Sequence, residues 1–134
     1  MASPRGPVVA VAIQDWSRLF REGLALLVGA RPTIRVAAAI EVLADLEGGE
    51  PVAVDGVVLE VADVPWNVEH GIGHLRERFP GIVVVGTYAT QSPPGVGDPG
   101  VTLVHRTAPS AAFIDALRGT PTGARTRTGP PHLV

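Results

Sequence analysis

The sequence lacks two amino acids that often carry reactive chemistry. It contains no cysteine, which excludes disulfide bonds and thiolate metal sites and is typical of a reducing cytoplasm. It contains no lysine either, because all 11 of its basic residues are arginines. A Schiff base, a phosphate-loop lysine and a lysine general base are therefore excluded.

Broad positive charge and long apolar runs are missing as well. The formal net charge is −2, so the chain offers no basic surface suited to a phosphate backbone, and we expect DNA contact only through another domain. Its apolar runs are too short to cross a bilayer, and its N-terminus makes a poor signal peptide. We therefore expect a cytoplasmic protein without membrane contact.

What the sequence does contain is the composition of one folded domain. Hydrophobic residues make up 46% of its 134 residues and charged residues 18%, which is a globular balance at a length that suits a single core. Residues 120–134 are dominated by Pro, Gly, Thr and Arg and predict a linker or frayed tail. The folded domain is expected over residues 1–119.

Short β-branched runs alternate with helical patterns along the chain. The runs predict strands and the spacing of apolar residues predicts helices. Residues 89–100 are rich in Pro and Gly and predict a loop where a fourth helix would stand. This alternation predicts an α/β fold with a doubly wound, five-stranded parallel sheet. The predicted strands are 8–13, 34–38, 54–61, 82–85 and 101–104, and the predicted helices are 17–29, 41–46, 68–79 and 111–117.

Polar residues stand at or just after the ends of four predicted strands. They are Asp15, Glu60, Thr87 and His105. In open parallel sheets the functional site lies beyond the carboxyl ends of the strands. We therefore expect these four side chains to share one site.

Four stretches, in order, resemble the receiver domains of LuxR/NarL-type response regulators. They are VAIQDWSRLFREGLALL, DGVVLEV, LRERFPGIVVVGTY and LVHRTAPSAAFIDALRG, and the match they mark extends over roughly residues 8–119. The resemblance implies the CheY-like, flavodoxin-like receiver fold, here with a degenerate fourth helix. It also implies that a DNA-binding helix-turn-helix domain follows the tail.

The resemblance further implies a phosphorylation pocket, and this sequence departs from it. Receivers phosphorylate an aspartate with the help of Mg²⁺, an acid pair, a lysine and a hydroxyl. Here Asp15 takes the first acid position, Trp16 the second, Glu60 the acceptor position and His105 the lysine position, and only Thr87 keeps its expected chemistry. An indole cannot coordinate a cation, so Trp16 is interpreted as an apolar plug. We expect no catalytic residues, no metal, no cofactor and no enzymatic activity.

These departures favour a receiver that regulates by association rather than by phosphotransfer. The partner would be a second copy or another regulator of transcription. The candidate dimer face comprises Leu19, Leu26, Phe113 and Leu117, although their spacing also allows a core role. Glu60 would mimic the phosphorylated state only in part, because a carboxylate has less charge and fewer oxygens than a phosphoryl group.

Two alternatives stay open from the sequence. The emptied pocket could bind a small molecule, with Trp66 and Asp63 adding to a rim that already has Trp16. A phosphorylatable receiver is the second alternative, which the residues disfavour. His70 and His74 have a spacing that can hold zinc, but no third ligand is evident, so no metal site is predicted.

Overall fold

Five strands and three helices are present in the computed structural model, which describes residues 8–42, 46, 53–61, 68–95 and 100–119. The predicted tail and residues 43–45 of the predicted helix at 41–46 lie outside the described residues. None of the described helices is both long and apolar enough to span a membrane. The strands are β1 Val9–Gln14, β2 Ile34–Ile40, β3 Gly56–Glu60, β4 Val83–Tyr88 and β5 Val101–His105, and the helices are α1 Arg18–Gly29, α2 Val68–Arg78 and α3 Ser110–Leu117.

All five strands form one parallel sheet in the order β2-β1-β3-β4-β5. This order is the doubly wound arrangement whose ligands gather beyond the carboxyl ends of the strands. The sequence prediction of a five-stranded parallel sheet is confirmed. Within residues 89–95, the described part of the predicted loop, the chain forms no helix.

Helix α1 begins directly beside the carboxyl end of β1. Ser17 is its N-cap, with an extended backbone and a side-chain oxygen that accepts the Phe20 amide at 3.2 Å. This bond satisfies one of the amide groups that a helix start leaves without an intrahelical partner. The cap fixes the short connection that carries Asp15 and Trp16.

Alternating side chains of the sheet enter two separate apolar clusters. The cluster on one side packs under α1 and α3, and we call this side the α1/α3 face. The other cluster packs under α2, and we call that side the α2 face. Residues of the α1/α3 face include Ile13, Val58, Val85 and Val104, and residues of the α2 face include Ala12, Leu59, Val84 and Leu103.

The four residues of the predicted dimer face differ in burial. Phe113 and Leu117 are almost fully buried in the α1/α3 face, because they are four residues apart and so lie on the same side of α3, the side that packs on the sheet. They are core residues, and their proposed role in a dimer contact is wrong. Leu19 and Leu26 are 85% and 77% exposed, so they alone remain candidates for a contact surface.

Candidate functional site

Strand alternation brings three of the predicted site residues to one edge and one face of the sheet. Asp15 follows Ile13 by two residues, Glu60 follows Val58 by two, and Thr87 lies two residues after Val85. The earlier residue of each pair belongs to the α1/α3 face, and side chains two apart in a strand share a face. Glu60 and Thr87 are also direct neighbours in the β3–β4 pairing.

Asp15 is the fully buried acid of this site. Its Oδ1 accepts the Ser17 amide at 2.8 Å, and its Oδ2 accepts Nη1 of Arg106 at 2.8 Å. Arg21 donates to the backbone carbonyl of Asp15, also at 2.8 Å. A buried carboxylate needs both hydrogen bonds and a compensating charge to be tolerated, and Asp15 has both.

Arg106 supplies that charge and was missed by the sequence reasoning. Its Nη1 contacts Oδ2 of Asp15 at 2.8 Å and Oε2 of Glu60 at 3.4 Å. The guanidinium carbon lies 4.1 Å from the centre of the Phe20 ring, a geometry that stabilises a cation on an aromatic face. We call Asp15, Glu60 and Arg106 the ion cluster, in which two carboxylates share one guanidinium.

Glu60 lies at the outer side of the ion cluster. Its side chain is 21% exposed, as is that of Arg106. Oε1 of Glu60 accepts the backbone amide of Trp16 at 3.4 Å. Its own backbone amide donates to Oε1 of Gln14 at 2.8 Å. The distance from Arg106 to Glu60 is thus longer than that to Asp15, which marks Glu60 as the weaker acid partner of Arg106.

Trp16 does not fill the site, so its interpretation as an apolar plug is wrong. The residue is 54% exposed, and what it contributes toward Glu60 is its backbone amide. The reason is steric and electrostatic. The guanidinium of Arg106 already lies against Asp15, and it supplies the compensating charge that a buried carboxylate needs, whereas an indole can donate a hydrogen bond but carries no charge.

His105 lies on the opposite face, so the expectation that it joins the other three is also wrong. Its Nδ1 accepts the Thr107 amide at 3.2 Å and lies 2.8 Å from the Thr107 hydroxyl, and its ring packs edge-on against Tyr88 at 5.0 Å. His105 follows Leu103 of the α2 face by two residues. The next residue, Arg106, falls instead on the side of Val104.

Thr87 is in the expected place but bonds to the backbone. It is fully buried, and its hydroxyl donates to the Leu59 carbonyl at 3.3 Å. The Glu60 carboxylate contacts the Trp16 amide and Arg106. The two predicted rim residues, Asp63 and Trp66, lie outside the described residues.

Two residues that matter here, Arg106 and Gln14, were absent from the sequence predictions. The sequence contained a signal for Arg106. Side chains two apart in a strand share a face, so residue 106 lies on the side of Val104, where the acids are, and the chain has no lysine that could take this role. Gln14 had a weaker signal, a single amide at the end of the apolar run VAVAI. In the described part of the chain, no three His, Cys, Asp or Glu residues cluster closely enough to hold a metal ion.

Comparisons with known proteins agree with this architecture. No protein-family model matches the sequence, and no curated protein matches it. Among solved structures the chain is similar to the receiver domain of the putative response regulator NarL from Mycobacterium tuberculosis, with a TM-score of 0.65, 18% identity, and coverage of 91% of this chain and 100% of that one.

Two further solved structures are similar over most of this chain. The response regulator ChrA of a heme-sensing two-component system has a TM-score of 0.63 and 19% identity over 92% of this chain, which spans only 62% of ChrA. RcsB from Salmonella enterica serovar Typhimurium, bound to promoter rprA, has a TM-score of 0.65 and 14% identity over 85% of this chain and 70% of RcsB. At such identities the likeness concerns the fold, and the chain has the fold of response-regulator receiver domains.

Proposed function

We propose that this chain is an atypical receiver domain of a response-regulator-type transcription regulator and that it works without phosphorylation. The observation that carries the proposal is the 2.8 Å ion pair between Arg106 and the fully buried Asp15. In a receiver of the ordinary kind, Mg²⁺ neutralises the acids and the phosphoryl group. Here a side chain of the protein itself neutralises the acid and holds the cluster in one arrangement.

The residues of the ion cluster do not fit Mg²⁺. The ion requires near-octahedral oxygen coordination at short distances, whereas Oδ2 of Asp15 is engaged by a guanidinium and the next residue is a tryptophan. Entry of Mg²⁺ would place two cations against the same carboxylates, or would require Arg106 to leave its place on Phe20. The composition of the site therefore supports a receiver without a metal cofactor.

The remaining groups of a phosphotransfer site are also unsuitable. Glu60 is one methylene longer than the aspartate of an ordinary acceptor, and in-line transfer depends on positioning within fractions of an ångström. Its carboxylate is already directed toward Arg106 and the Trp16 amide. The chain has no lysine to take the place of the family's conserved cation. These features support a regulatory module that is not an enzyme.

The proposed lack of phosphorylation is tested directly with the intact protein. The chain is incubated with Mg²⁺ and acetyl phosphate, or with beryllofluoride, next to an ordinary receiver as positive control, and intact mass and tryptophan fluorescence are recorded. We expect no adduct and no spectral change. Glu60→Asp restores the length of the usual acceptor but keeps Arg106, so it too should remain unmodified. A stable adduct on the unaltered chain would overturn the proposal.

Association would be the output of such a module, and α1 offers the surface for it. Leu19 and Leu26 are seven residues apart, so they lie on one side of the helix, and both are strongly exposed. We assign this side to contact with a second copy of the chain, and DNA contact to an adjacent domain. Leu19→Glu and Leu26→Glu should lower the molar mass measured by light scattering, whereas Ala39→Glu on the exposed edge strand should not. A monomeric unaltered chain would contradict the assignment.

A second candidate function is favoured by the exposure of Trp16. An indole that is 54% exposed next to a partly exposed guanidinium and carboxylate could stack on a small molecule. In that case the domain would be a ligand-sensing pseudo-receiver. Titration with a panel of metabolites should then change the fluorescence of the unaltered chain and leave Trp16→Phe unchanged. A response that persists in this variant would place the ligand elsewhere.

A further inference from the structure

Gln14 is a fully buried amide whose polar atoms both have partners. Its Nε2 donates to the Glu41 carbonyl at 2.8 Å, just beyond β2. Its Oε1 accepts the Glu60 amide, also at 2.8 Å, at the end of β3. One side chain of β1 therefore joins the carboxyl ends of both neighbouring strands, β2 and β3.

The Gln14 side chain lies where the backbone pairing between β1 and β3 ends. The pairing of β1 with β3 stops at Ile13 and Val58, two residues before Glu60. Strand β3 nevertheless continues to Glu60 along β4. On the β1 side, the Glu60 amide is held by the side chain of Gln14 instead of the backbone. A buried amide without any acceptor would be strongly unfavourable.

This support matters because the contacts of the Glu60 carboxylate with Arg106 and with the Trp16 amide are long. The carboxylate lies 3.4 Å from both Arg106 and the Trp16 amide, whereas Asp15 bonds Arg106 at 2.8 Å. Hydrogen bonds at 3.4 Å are beyond the usual range and are sensitive to small shifts of the backbone. The backbone position of residue 60 thus decides whether its carboxylate takes part in the ion cluster.

We infer that Gln14 is a positioning residue of the ion cluster: its amide sets the place of Glu60 against Arg106. Through Glu41 it also links the chain that leaves β2 to the same cluster. The inference rests on the proposed function only in treating the ion cluster as the site. Its test uses neither phosphorylation nor oligomeric state, so the two proposals fail in different experiments.

The first test measures amide hydrogen exchange by NMR in the full chain and in Gln14→Met. Methionine has nearly the shape of glutamine but cannot make either hydrogen bond. We expect the Glu60 amide to lose about tenfold more protection than the Val58 amide, since one lost hydrogen bond corresponds to roughly a factor of ten. Val58 lies in the paired part of the same strand and reports any global loss of stability. Equal changes at both amides would overturn the inference.

The second test measures how strongly Glu60 and Arg106 depend on each other. In a double-mutant cycle of Glu60→Gln and Arg106→Met, we expect a coupling of about fivefold in the unfolding equilibrium constant. In the Gln14→Met background it should fall below about twofold. The cycle of Asp15→Asn with Arg106→Met should keep its coupling, because the two hydrogen bonds of the Gln14 side chain go to Glu41 and Glu60. A Glu60 coupling that survives Gln14→Met would contradict the positioning role.

Gln14→Glu keeps the test decisive if the methionine variant does not fold. In this fully buried position the glutamic acid stays protonated, so its C=O oxygen still accepts the Glu60 amide and its O–H donates to the Glu41 carbonyl. We expect this variant to retain both the protection of the Glu60 amide and its coupling to Arg106. Loss of both in a folded Gln14→Glu chain would show that the accepting oxygen is not what positions Glu60.

Discussion

Removal of the guanidinium in Arg106→Met is the perturbation whose effect follows most directly from the geometry. Asp15 is fully buried and would keep the Ser17 amide as a partner but lose its counter-charge. Breaking a buried ion pair by removing one partner costs about 3–5 kcal/mol. The side chain of Arg106 is 21% exposed, so water reaches the site and the lower end of that range applies.

Loss of the contact with Phe20 adds to this effect. A guanidinium over an aromatic ring contributes about 0.5–2 kcal/mol, depending on its exposure, and methionine keeps only part of the packing. We therefore expect Arg106→Met to lower the free energy of unfolding by about 3–4 kcal/mol. For a domain of this size that is a large share of a total of about 5–15 kcal/mol.

Urea unfolding followed by circular dichroism is the appropriate assay, with an unchanged m-value as the sign that the folded state is intact. Arg106→Lys is the control that keeps the charge, and we expect it to cost less than the methionine variant. Asp15→Asn combined with Arg106→Met removes the isolated buried charge and should recover part of the loss. A cost below about 1 kcal/mol for Arg106→Met, or no recovery in the double variant, would refute the reasoning.

Three further predictions concern packing and charge elsewhere in the domain. Gly86→Ala should destabilise the fold by about 1–3 kcal/mol, measured by urea unfolding, because the new methyl group would come within 2.8 Å of a valine side-chain carbon. In the same assay, Phe113→Ala should lower the free energy of unfolding by about 3–5 kcal/mol, because Phe113 is buried. Leu19→Ala should lower it by less than about 0.5 kcal/mol, because Leu19 is exposed. Similar losses of stability in the two variants would contradict the assignment of Phe113 to the core and of Leu19 to the surface. The hydrogen bond and charge of Arg18 lower the pKa of Glu22, so this pair adds its small stabilisation above the ordinary glutamate pKa and loses it as the pH falls through the lowered value. An NMR titration should show the pKa of Glu22 rising in Arg18→Gln, and an unchanged titration would contradict the pairing.

The architecture could be read from the sequence because it depends on local and repetitive features. Five short β-branched runs, separated by crossover segments, leave a parallel sheet as the simplest arrangement that buries them. Ser17 and Gly29 mark the two ends of the first helix in the sequence, and the structure agrees. The same logic brought Asp15, Glu60 and Thr87 to one edge, since parallel strands end together.

Which residues belong to the site was harder to predict from the sequence. Successive side chains of a strand point to opposite faces of the sheet, so the answer depends on the exact position of each residue at the end of its strand. His105 and Arg106 are adjacent in the sequence, yet one faces Tyr88 and the other faces Asp15. A shift of one residue in an extended chain moves a side chain to the opposite face. Alignment with the receiver motif by position selected the histidine, whereas strand geometry selects the arginine.

The sequence by itself determined the class of fold, the absence of lysine and cysteine chemistry, and the edge of the sheet where polar groups meet. Only the tertiary structure decided which cation neutralises the buried Asp15, that Trp16 faces solvent, and that Gln14 bridges three strand ends. The features determined by the sequence follow from composition and periodicity, which are local properties of the chain. The features decided by the tertiary structure depend on distances between residues as far apart as Asp15 and Arg106, 91 positions along the chain, and only packing of the whole sheet sets those distances.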